Sequence, residues 1–165
     1  MVFDVGHVAG SFWFRNAVPA VKQGFVPDSM STDLHLGDFT VLSMTEVMSK
    51  FLAMGVPLED IIRRSTVKPA SEIRRPDLGT LSVGHEADVA VLEVLHGHFG
   101  FTDDGYARMD GRVKVVARMT IRAGRILYDP SGLSMVEWEK APKQYFTTPE
   151  SGSSPPARAD NYPRD

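Results

Sequence analysis

Apolar residues recur mostly at three- and four-residue steps between residues 40 and 54, through Val41, Met44, Val47, Met48, Phe51, Leu52 and Met54. That spacing predicts an amphipathic helix stopped by Gly55. Pro57 opens a shorter helix through Arg64, with Leu58, Ile61 and Ile62 on its apolar side, and Pro69 opens a further turn through Ile73. The methionine-rich face reads as core filling rather than as a ligand site. Upstream the pattern is different. Residues 2–5 form a short β-prone run into Gly6-His7, which reads as a buried strand ending at a loop. Asn16 can cap a helix through Gln23, with Pro19 in its first turn and Gly24 as its stop. A second extended run follows inside GFVPDSMSTDLH and ends in Asp33 and His35. Strand, loop, helix, strand is a βαβ unit, which implies a parallel pair.

The character changes near Leu78. Residues 79–83, 87–94 and 99–101 read as short strands with glycine punctuation. Residues 112–122 alternate apolar and polar, broken only at Val116, and Ala123-Gly124 turns the chain into residues 125–128 as a hairpin. This half is expected to be antiparallel and all-β. From Ala141 the chain is rich in proline, serine and charge, and it reads as a disordered tail.

Composition narrows the function classes. The 165 residues suit one domain or part of a larger one, and 42 % hydrophobic with 24 % charged residues is ordinary for a globular chain. A net charge of −3, without clustered Lys and Arg, argues against a nucleic-acid partner. With no cysteine there is no disulfide, thiolate metal site or Cys nucleophile. No apolar run is long enough for a membrane helix, and the N-terminus lacks the basic and apolar regions of a signal peptide. The expected setting is cytoplasmic, with no membrane partner.

The chemistry-bearing candidates gather where the strands end. On a strand, Asp33 and His35 would point to one face, and His7 lies at the equivalent end of the preceding strand. In α/β folds active sites gather at that end. Two histidines and an aspartate suit a divalent metal such as zinc, or a general base held by a neighbour. They suit equally an aspartate that caps loop amides and a histidine that bonds backbone. His96-Gly-His98 reads as loop. GHVAGS lacks the lysine of a phosphate loop and the glycine spacing of a dinucleotide fingerprint.

FDVGHVAGSFWF, GFVPDSMSTDLH, KPASEI, GTLSVGHEADVAVLEV and IRAGRILYD together resemble the amidohydrolase superfamily. More closely, they resemble the amidohydrolase/deacetylase metallohydrolases related to dihydroorotase and D-aminoacylase. The resemblance runs from about residue 2 to about residue 129. It implies an α/β fold, the last two βα units of a (β/α)₈ barrel over residues 1–77, followed by part of a β-sandwich over 78–135 and a tail over 136–165. It implies hydrolysis of an N-acyl or cyclic amide C–N bond in a small-molecule substrate, by a water that one or two divalent metals, expected to be zinc, activate. Asp33 then resembles the strand-eight aspartate that both touches the metal and moves the proton. His7, His35 and Ser11 would bind substrate or support the site. Val8 departs from the family, standing where relatives tend to carry glycine.

The family's main metal ligands come from earlier strands and have no counterpart in this chain, and a whole barrel takes about 250 residues. Three readings follow. The chain is a portion of a metallohydrolase, acting with the remainder of the same enzyme or as a homo-oligomer. Alternatively, it is a non-catalytic remnant that associates with an intact homologous subunit. The third reading is a free-standing β-sandwich interaction module.

Overall fold

In a computed structural model, residues 1–7, 10–35, 41 and 43–141 are described. The chain divides into two compact units. The first comprises Met1–Glu86 and Leu92–Ala117; the second comprises Ala87–Val91 and the chain from Arg118 onward.

The first unit opens with strand β1 (Asp4–Val5), helix α1 (Phe14–Lys22) and strand β2 (Ser29–Met30). β1 and β2 pair in parallel, Asp4 opposite Ser29 and Val5 opposite Met30, so the βαβ unit forms as the pattern implies. Asp4 reinforces the pair: Ser29 Oγ and Ser31 Oγ donate to its two carboxylate oxygens at 2.7 and 2.6 Å. α1 differs from the expectation. It begins two residues before Asn16, and Pro19 lies inside it rather than in the first turn. No side chain at its own N-terminus caps it; Asp103, 89 residues away, accepts from Phe14 N–H at 2.9 Å instead. A cap supplied by tertiary structure leaves no local sequence signal.

α2 (Met44–Ala53) starts at Ser43, which is extended (φ −161°) and accepts from Glu46 N–H at 3.3 Å. This Ser-x-x-Glu start is the spacing of a capping box, and it shortens the expected helix from its N-terminal side. Thr40, where that helix was expected to begin, lies outside the described residues. α3 (Leu58–Ser65) follows Pro57 as expected, and α4 (Val67–Glu72) begins two residues before Pro69. Met30, Met48 and Met54 fill the core, joining Phe12, Phe14, Val47, Phe51 and Ile61 in one apolar cluster. Arg64 Nη1 donates to the Val26 carbonyl at 3.4 Å and to the Pro27 carbonyl, tying α3 to the segment that leads into β2.

The β-rich half corrects the punctuation reading. β3 (Val89–Thr102) is one continuous 14-residue strand beside β4 (Arg108–Arg122). Glycine was read as a break between short strands, but here it makes room. A Cβ on Gly100 would sit 2.5 Å from the Arg108 guanidinium, and one on Gly97 3.3 Å from the Phe99 ring. The expected strand at 79–83 is absent from the described residues. There Thr80 and Ser82 bond each other at 2.9 Å and Ser82 N–H turns to Thr80 Oγ1, a local alternative to a ladder.

Within the second unit β4 pairs antiparallel with β5 (Arg125–Tyr128), Arg122 opposite Arg125. Ala123 (φ 47°) and Gly124 (φ 75°) make the two-residue turn. Asp88 accepts from Ala123 N–H at 2.7 Å, and Gly124 N–H donates to the Ala87 carbonyl at 3.0 Å. The Ala-Asp and Ala-Gly pairs of the quoted motifs therefore meet each other. Residues 142–165, most of the expected tail, lie outside the described residues. Among the described residues no helix is long and apolar enough to cross a membrane.

Candidate active site

Asp33 sits past the end of β2, which closes at Met30. Strand alternation therefore cannot be what brings Asp33 and His35 together, and that expectation is corrected. The backbone instead turns through a left-handed residue, Asp33 itself (φ 48°), a conformation that aspartate tolerates better than most side chains. The pair nonetheless forms: His35 Nε2 lies 3.5 Å from Asp33 Oδ1, both side chains about half exposed. Gly6, after β1, makes the approach feasible. A Cβ there would stand 2.8 Å from Asp33 Cβ and 3.0 Å from Oδ2.

His7 takes a different place. Its N–H continues the parallel ladder to the Thr32 carbonyl at 3.1 Å, but its ring is fully buried and stacked on Phe12, centroids 4.1 Å apart and planes 18° apart. Ser11 is exposed, and its hydroxyl donates to the Gly6 carbonyl at 3.4 Å. Ser11 and Asp33 line one open cavity of about 390 Å³, whose remaining wall is mostly apolar, including Val5, Phe12 and Trp13. Asp33 thus faces a cavity from an exposed turn, with a histidine beside it, a hydroxyl on the same cavity and a buried imidazole stacked on the Phe12 wall. Val8, the departure from the family pattern, lies outside the described residues.

The donor set can be tested against a metal. Among the described residues no three His, Asp or Glu side chains converge to hold an ion. The Asp33–His35 pair offers one carboxylate and one imidazole, whereas zinc takes three or four protein ligands. The pair fits a contribution to a site and not a whole one. His96 and His98, read as loop, lie on β3, and Arg112 Nη1 approaches both ring nitrogens of His98 at 2.8 and 2.6 Å. A guanidinium there disfavours a second cation.

Two groups of polar residues left little or no signal along the chain. Asp4 locks β1 to β2, and its only trace is an acid inside an apolar run facing the Ser29 and Ser31 alternation. Asp103 and Asp104 grip the segment after His7 from about 90 residues away, and nothing local marks them.

The chain is 37 % identical to a deacetylase of Brucella anthropi over 102 residues, 61 % of this chain and 25 % of that protein. A deacetylase of Agrobacterium fabrum matches with the same figures. A deacetylase of Enterococcus faecalis is 29 % identical over 132 residues, covering 78 % of this chain and 36 % of that one. Among solved structures, an adenine deaminase superposes with a TM-score of 0.74 at 29 % identity, over 78 % of this chain and 36 % of that one. A dihydroorotase follows at 0.71 and 30 %, over 76 % and 35 %. Over the residues matched, the chain is similar to members of the amidohydrolase superfamily. The activities those relatives are named for are hydrolyses of C–N bonds. The chain spans only about a quarter to a third of the length of these amidohydrolase relatives. No protein-family model matches it.

Proposed function

We propose that this chain is the C-terminal portion of a metal-dependent amidohydrolase of the deacetylase kind, the last two βα units of its barrel with part of its β-sandwich. The reaction would open an N-acyl or cyclic amide bond in a small molecule, with Asp33 as general base. The observation that carries this reading is the Asp33 carboxylate. It is held in a left-handed turn against Gly6, beside His35, at the open end of a parallel strand pair. The match to deacetylases supports the reaction class.

A divalent metal, zinc in the expected form, would be held chiefly by ligands outside this chain, with one carboxylate from Asp33, and would supply Lewis acidity to the amide and the water. Asp33 accepts a proton from the attacking water at a carboxylate oxygen as the C–O bond forms. It returns that proton to the amine nitrogen as the C–N bond breaks, so the carboxylate is regenerated each cycle. His35 restrains the Asp33 side chain, Ser11 offers a hydroxyl to substrate in the same cavity, and His7 backs the Phe12 wall.

The test is Asp33→Asn in the complete enzyme. Turnover is expected to fall by about 10²–10⁴-fold with the far-ultraviolet dichroism unchanged. Retention of more than about a tenth of the activity would remove Asp33 from the base role. A second reading, a non-catalytic remnant on an intact homologous subunit, draws on β1. Among the described residues this strand pairs only with β2, and Val2 and Phe3 beside it are exposed. Stoichiometric binding to an intact relative without change in its turnover would favour it.

A further inference from the structure

The turn between β3 and β4, residues 103–107, reaches back to the segment that follows His7. Asp104 binds both the backbone N–H and the carbonyl of Phe12. Its Oδ2 accepts from Phe12 N–H at 2.7 Å, and its own N–H donates to the Phe12 carbonyl at 3.0 Å. Asp103 is 1 % exposed and accepts from three amides: Phe14 at 2.9 Å, Gly105 at 3.0 Å and Ala107 at 2.8 Å. The last two bonds stiffen the turn and the first grips the start of α1. Gly105 lies flat against Trp13, for a Cβ there would stand 2.2 Å from the indole ring. Trp13 is itself fixed, its Nε1–H donating to the Gly10 carbonyl at 2.7 Å and the Arg15 guanidinium stacked 4.5 Å from its ring.

Here three successive residues each meet a different part of one short segment, and that segment carries Ser11 and Phe12. The Phe12 ring is the surface on which the His7 imidazole stacks, and Lys50 Nζ lies 5.4 Å from the ring's centroid. Ser11 in turn bonds Gly6, the residue against which Asp33 rests.

The geometry points to Asp103 and Asp104 as positioning residues for the candidate site: by fixing the Phe12 and Phe14 backbone they set the plane on which His7 lies and the wall that Ser11 and Phe12 present. The catalytic meaning of this inference rests on the amidohydrolase reading; the placement itself does not. Asp104→Ala removes the acceptor for Phe12 N–H, and Asp104→Asn retains an oxygen there. Three quantities are read in the 165-residue chain: the His7 ring-proton resonances, which stacking on Phe12 shifts upfield, the Phe12 amide exchange rate and the melting temperature. In Asp104→Ala the His7 resonances move toward their unstacked positions, and Phe12 amide exchange rises about tenfold or more, as expected for loss of a hydrogen bond to a charged acceptor. Asp104→Asn restores both. A lowered melting temperature with His7 unmoved overturns the proposal, because it leaves only a structural role. Should Asp104→Ala not fold, Gly105→Ala wedges a methyl against Trp13, and the His7 resonances must move together with the Trp13 emission; His7 unmoved again overturns it. In the complete enzyme Asp104→Ala should lower kcat more than it raises KM. If the complete enzyme hydrolyses no amide, the functional reading fails, and the His7 resonances still decide the positioning.

Discussion

Asp33 holds a backbone conformation that a β-branched residue would resist, and it does so against a glycine that leaves room for nothing larger. Such local cost is retained where the surroundings hold the residue in place, and here they direct a carboxylate toward a cavity. The same reasoning separates the carboxylate proposed as the base from one held by an ion pair alone. Asp77, far along the chain, is about half exposed and clasped by Arg75, whose Nη2 lies 2.6 Å from Oδ2. The hydrogen bond from the Arg75 guanidinium holds the Asp77 carboxyl below its ordinary range. A depressed folded value means that the pair's small stabilisation is present above the unfolded pKa and is lost as the pH falls through the folded one. Arg75→Ala should therefore raise the Asp77 midpoint toward the ordinary carboxylate range, read by carboxyl NMR. An unmoved midpoint would show that the pair does not hold in solution.

Helices α2 and α3 were legible because the three- and four-residue apolar spacing and the breakers Gly55 and Pro57 are local facts. The start of α1 and the length of β3 were not, because each depends on a partner distant in sequence: a carboxylate from a remote turn, and a long neighbouring strand. Close packing of α2 on β4 has the same origin. A Cβ on Gly111 would meet the Phe101 ring at 2.6 Å and Ala53 at 3.1 Å. Buried Ser49 joins the two elements: its Oγ donates to the Thr45 carbonyl at 2.6 Å and accepts from Val115 N–H at 2.9 Å. Ser49→Ala should leave that strand amide without its buried acceptor and cost about 1–3 kcal/mol, measured by urea denaturation. A loss below about 0.5 kcal/mol would mean that the amide finds another partner.

Over the whole chain, the donors that the described residues bring together do not make a metal site. After dialysis the 165-residue chain should therefore hold well under one zinc ion per molecule by elemental analysis with light scattering. A folded species with about one zinc would reveal ligands beyond the Asp33–His35 pair, or donors shared between copies. The apolar periods, the glycine and proline breakers, the βαβ order and the 123–124 hairpin turn are set by residues close in sequence, and the amino-acid order alone specified them. So too did the motif that singled out Asp33, since its neighbours Ser31, Thr32 and His35 are adjacent along the chain. The tertiary structure alone decided that β2 stops at Met30 and Asp33 meets His35 through a left-handed turn. It alone buried His7 against Phe12 and made the carboxylates of a distant hairpin the grip on the cavity wall. Those outcomes depend on packing and hydrogen bonds between segments tens of residues apart, where no periodicity in the sequence can record which partner is chosen.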